Sequence, residues 1–137
     1  MAALIDAVDP PLPPPDAGAA LEALRHQLRQ IADFFSTRLG QSITAVYAAA
    51  DTHTELLEAF RHHFFLAPRW EGRELLSRAI RGGEVRRDMD VELALDLLYG
   101  PIWYRVLVHD SVDAAFTDAV LRQALEGLAA PARPRAS

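Results

Sequence analysis

Glu55, Glu58 and His62 recur at helical spacing and share one helix face, so they come nearest in this sequence to metal chemistry. A di-metal carboxylate centre needs a Glu-x-x-His motif from each of two paired helices. No second copy of the motif is present, so the pattern is read as a wet helix face or a pocket-lining histidine, and no metal is expected. There is no cysteine, which excludes thiolate ligands, thiol nucleophiles and a disulfide framework. A glycine-rich phosphate loop, a G-x-S-x-G elbow and an H-E-x-x-H pair are also lacking. Ser36, Ser42, Ser77 and Ser111 fall at helix ends or exposed positions without an identifiable base. The sequence therefore predicts no catalytic residue and no cofactor.

Charge points the same way. Arg78, Arg81, Arg86 and Arg87 cluster near a helix end, but Glu84, Asp88 and Asp90 are interspersed and no aromatic interleaves. A solvated end that compensates the helix dipole is preferred to a phosphate site. The net charge of -5 argues against nucleic-acid binding by this chain alone. All fourteen basic residues are arginine, which with abundant alanine suggests a GC-rich bacterial genome. From Val91 to Val108 the only ionisable side chains besides two tyrosines are Glu92, Asp96 and Arg105. At about 100° per residue the two acids share one side and Arg105 falls opposite them. Arg105 could anchor an effector carboxylate; pairing with an acid of a partner helix, or reaching solvent, is the preferred alternative. No continuous polar face survives, so this helix must be covered all round, and one flank is expected to meet a second copy of the chain.

The elements that would position these residues are all helical. Residues 1–15 read as a remnant helix followed by a proline-rich connector, because the prolines of PPLPPP remove donors and bar their predecessors from the helical region. Asp16 is a candidate cap. Apolar positions 21, 24, 28, 31 and 35 define a helix ending near Gly40, with Arg25, Gln27, Arg29 and Asp33 on its wet face. A shorter helix over 41–50 turns Ile43, Val46 and Tyr47 inward. Thr52 and Glu55 have capping-box spacing for a helix that carries Phe60, Phe64 and Phe65, kinks at Pro68 and stops at Gly82-Gly83. Asp90 caps the central helix, Gly100-Pro101 lies inside it, and Ser111 caps the last. Residues 131–137 read as a frayed tail. With no strand alternation and no repeat, the expected fold class is all-α: an antiparallel domain of five to six helices over residues 16–130. The longest apolar run is far short of a membrane span and no signal peptide marks Met1, so a cytoplasmic protein without membrane contact is expected.

One segment carries a specific likeness. Arg81, Gly83, Glu84, Val85 and Arg86, then Asp88 and Asp90, then Glu92, Leu93, Ala94, Asp96, Leu97, Leu98, Gly100, Pro101, Ile102, Trp103, Tyr104 and Arg105 follow a fixed order and spacing. This segment resembles the C-terminal regulatory domain of TetR-type bacterial transcription regulators, and Phe64 to Trp70 and the proline loop fit the same domain more loosely. The resemblance implies a helical domain that binds a small molecule and pairs two subunits through its last two helices, while an N-terminal helix-turn-helix domain reads operator DNA. Nothing before Leu4 reads as a helix-turn-helix. The DNA-reading half is therefore expected to be missing from this chain, whether removed or absent from the gene, and the chain alone is not expected to bind DNA.

The resemblance also places Phe34, Phe35, Tyr47, Phe60, Phe64, Trp103 and Tyr104 on helices around one cavity, with His63 and Arg105 as polar members. Such a pocket suits a small apolar or aromatic effector; for any single ring, core packing is the alternative. Candidates for the pairing surface of a homodimer are Leu93, Leu97, Tyr104, Val108, Leu121 and Leu125, arranged as a four-helix bundle across a two-fold axis. A stand-alone helical dimer with a filled core and no ligand is the alternative function.

Overall fold

The computed structural model of the protein describes residues 19–52 and 54–130. The expected remnant helix, proline connector, Asp16 cap and C-terminal tail lie outside the described residues. Within them are six α-helices and one π-helical turn: α1 Ala20–Ser36, α2 Arg38–Ala49, α3 Glu55–Phe60, the π turn Arg61–Leu66, α4 Ala67–Arg81, α5 Val91–Leu107 and α6 Ala114–Glu126. The described residues contain no strand.

The apolar stripe of α1 sets the architecture. Leu24, Leu28, Ile31 and Phe35 recur every three or four residues and are buried, so α1 packs at once against α2, α4, α5 and α6. Leu76 of α4 and Leu95, Leu98 and Ile102 of α5 complete the fully buried centre. Each such side chain stabilises the fold by about 1.5–3 kcal/mol relative to exposure. Among the described residues no helix is long and apolar enough to cross a membrane.

Several expected boundaries move. Helix α1 stops before Gly40 because Thr37 leaves the helical region. Its hydroxyl accepts from Gly40 N at 3.1 Å, so one threonine ends α1 and caps α2. Gly40 sits inside the first turn of α2, where a Cβ would strike the Phe34 carbonyl. Thr54, not Thr52, caps α3 by accepting from Leu57 N at 3.2 Å. Asp113, not Ser111, caps α6 by accepting from Phe116 N at 2.8 Å. Asp90 caps α5 as expected, taking Leu93 N at 3.1 Å. Val46 is exposed rather than inward.

Pro68 produces neither a split nor a simple kink. The backbone remains helical from Glu55 to Arg81, and the residues before the proline widen into the π turn, where Ala67 N reaches back five residues to His62 O. A π turn redistributes the N–H groups around a position that has none to donate. At the end of α4 only Gly83 takes the left-handed conformation, at φ 80°, and Glu84 N then closes on Ala79 O at 2.9 Å.

Candidate functional site

The π turn and the spacing of aromatic residues bring the expected rings together. Phe60 and Phe64 are four residues apart, as are Tyr99 and Trp103, so each pair projects to the same side of its helix. Phe64 stacks on Phe34 with centroids 5.6 Å apart and planes 2° from parallel, and meets Phe60 edge-on at 5.5 Å. Phe34 touches Phe35 at 5.1 Å, and Phe35 meets Trp103 edge-on at 5.5 Å. Tyr47 joins through Phe65 at 4.9 Å, and Phe65 lies 5.2 Å from Trp103. His63 abuts Phe64 at 5.0 Å on the rim. Phe34, Phe35, Tyr47, Phe60, His63, Phe64 and Trp103 thus belong to one network, whereas Tyr104 stands exposed outside it. Phe65 and Tyr99 belong to it as well, the signal for Tyr99 being its place one turn before Trp103.

Arg105 is not among them. Its guanidinium lies 3.8 Å from the centre of the Phe116 ring, and its NH1 donates to Ser111 O at 3.2 Å. That geometry fastens the loop between α5 and α6 to the end of α5.

Beside the rings lies a polar joint. Gln27, expected on the wet face of α1, is 3% exposed. Its Nε2 donates to Pro68 O at 2.7 Å, and its Oε1 accepts from the Tyr99 hydroxyl at 2.5 Å, with Pro68 O 3.2 Å from that hydroxyl. Burial pushes the Tyr99 phenol well above its ordinary value, so it remains a neutral donor. Gly72 makes room for it, since a Cβ there would overlap the tyrosine oxygen. The sequence signal was the spacing of Gln27 from Leu24 and Ile31, which puts it in the apolar stripe. Two buried side-chain atoms among the described residues find no hydrogen-bond partner: Glu84 Oε1 and Trp103 Nε1.

The acids of α5 are held from α4. Arg73 grips Glu92 through two bonds, at 2.7 and 3.0 Å, while Arg69 reaches Glu92 at 2.9 Å and Asp96 at 2.7 Å. The Arg73 and then the Arg69 hydrogen bonds hold the Glu92 carboxyl down at about 2. On the far side of the domain Arg29 of α1 forks onto Asp118 of α6, at 3.1 and 2.6 Å. His62 faces Trp70 at 5.0 Å, and among the described residues no group of three His, Asp or Glu side chains could hold a metal ion.

The remaining flank of α5 is bare. Leu93, Leu97, Tyr104 and Val108 are exposed, Tyr104 at 67%, and so is Leu125 of α6. Leu121, also expected on the pairing surface, is instead core, at 3%. A groove of about 240 Å³ is lined by Leu93, Leu97, Leu121 and Leu125 of α5 and α6, together with Arg86 and Asp90.

Residues 14–124 match the family described as tetracyclin repressor-like, C-terminal domain. The chain is similar to an uncharacterized HTH-type transcriptional regulator, YdeS, of Bacillus subtilis (strain 168), at 32% identity over 120 residues. That alignment covers 87% of this chain but 61% of the relative, so the chain spans less than two thirds of that protein's length.

Proposed function

The chain belongs to the tetracyclin repressor-like C-terminal domain family, a family of regulatory domains of transcription factors, and from that membership we propose that it senses a small apolar effector and pairs with a second copy. Operator DNA is read, in this proposal, by a helix-turn-helix part outside the described residues. The domain works in the cytoplasm and carries out no reaction.

The observation that carries the reading is the double role of α5. One edge of the helix, through Tyr99 and Trp103, closes the ring network. The opposite flank, through Leu93, Leu97, Tyr104 and Val108, stands bare where a partner helix would cover it. A molecule entering among the rings displaces the same helix that a partner subunit reads. The π turn supports entry, because such turns are less regular than α-helix and recur at functional sites. The Arg29–Asp118 fork would carry a shift of α1 to α6. Regulation then requires only that the effector bind two arrangements of these helices with different affinity.

Native mass spectrometry of the purified chain over a dilution series tests the proposal. The expected result is a persistent dimer that retains an organic mass or takes up an apolar aromatic probe. A monomer at every concentration would sink the pairing half. The close stacking of Phe34 on Phe64 favours one rival, a dimer with a filled interior, for which the dimer would take up no probe at all.

A further inference from the structure

The ring network contains one polar atom that nothing among the described residues satisfies. Trp103 packs against the core between Phe35 and Phe65, and its Nε1 is buried without an acceptor. Buried indole N–H groups ordinarily find a partner. The nearby Tyr99 hydroxyl, whose ring lies 6.0 Å from the indole, is committed to Gln27. Pro68 O is in turn occupied by Gln27 Nε2. The Tyr99 hydroxyl, Gln27 and Pro68 O are therefore paired with one another, and among the described residues the indole N–H is left over. Glu84 Oε1, the other unpaired atom, sits in the turn after α4 and not among the rings.

The network is equally informative about charge. Arg105, the cation on the same helix, is spent on Phe116 and Ser111 O. Arg69 is spent on Glu92 and Asp96. Neither of these two guanidiniums is free to meet a carboxylate at the rings. We infer that Trp103 Nε1 is the polar anchor of the effector site, and that the effector is an uncharged aromatic or polycyclic molecule presenting one hydrogen-bond acceptor, such as a ketone oxygen, to that N–H. The inference rests on the sensing reading above and adds the effector's class. Phe34, Phe35, Phe64 and Phe65, which touch one another, would part to take a flat apolar molecule between them. The indole N–H supplies orientation.

Matched probes separate the two claims: benzophenone against diphenylmethane, and fluorenone against fluorene, each pair differing in a carbonyl where the hydrocarbon has a methylene. Binding is read by titration of the full chain, and the indole N–H by its nitrogen-15 signal in tryptophan-labelled protein. The chain has two tryptophans, and the exposed Trp70 serves as the internal reference. The ketones are expected to bind about tenfold more tightly than their hydrocarbons. They should move the Trp103 N–H signal downfield and leave that of Trp70 in place. In Trp103→Phe, which keeps an aromatic ring but has no N–H to donate, the ketone and the hydrocarbon of each pair should bind alike. Equal binding of ketone and hydrocarbon, or a preference that survives in Trp103→Phe, would overturn the anchor and leave the sensing reading standing. Failure of all four probes to bind would overturn both.

Discussion

The Tyr99 hydroxyl holds three helical segments with a single proton, and its removal should be felt throughout. Tyr99→Phe keeps the ring contacts but leaves Gln27 Oε1 buried without its donor. Such an orphan costs about 1–3 kcal/mol, so the urea midpoint should fall while the slope of the transition is kept. Adding Gln27→Leu should not restore the loss, because the Pro68 carbonyl is then left without either of its donors. Glu92 offers a second test at the same scale. Its carboxyl titrates at about 2 when folded, against an ordinary 4.5, because Arg73 and Arg69 favour the charged form. A group whose folded value is lowered contributes its stability in full above the unfolded value and loses it as pH falls through the folded one. The thermal midpoint of the native chain should therefore drop more steeply between pH 5 and pH 2 than that of Glu92→Gln. The site is open to solvent, so the difference will be small, and the carboxyl resonance itself is the sharper readout.

Helix boundaries show what the sequence could and could not convey. Asp113→Ala should destabilise the domain by about 0.5–2 kcal/mol in chemical unfolding, whereas Ser111→Ala should be close to neutral, because only the aspartate accepts from the first turn of α6. The existence and type of every described helix were legible from apolar spacing, and so was the sharing of one side by Glu92 and Asp96. The Asp90 cap was legible too, but the caps of α3 and α6 were not, because acceptable residues stand two apart at both Thr52/Thr54 and Ser111/Asp113, and the choice falls to the phase of the buried residues that follow. Gly40 misled for a different reason: it is there for close approach between α1 and α2, not to end a helix. Gln27 was hidden by its polarity, since its partners lie 41 and 72 residues away. Spacing showed which rings share a side of one helix, but not how rings on different helices meet; the π turn, which carries no sequence mark beyond the proline behind it, sets how Phe64 and Phe65 are presented. Arg105 was expected at the pocket, a partner acid or solvent, and its contact with Phe116 depends on a loop path that helix phase does not describe.

For the molecule as a whole, the bare flank of α5 defines the outcome to seek. Leu97→Glu should convert a dimer to a monomer in sedimentation velocity while leaving helical content and unfolding midpoint little changed, because Leu97 is exposed in the single chain. Leu121 makes the contrasting case, being buried within one copy. The joint of Gln27, Pro68 and Tyr99 has a different kind of consequence. Its bonds span 41, 31 and 72 residues of chain, so no nascent segment ending before residue 99 can complete it. Contacts so distant along the chain close after the local helices have formed. Interactions made after the rate-limiting step alter the rate of unfolding far more than that of folding. The joint therefore governs how long a folded domain persists, and scarcely touches how quickly one is made.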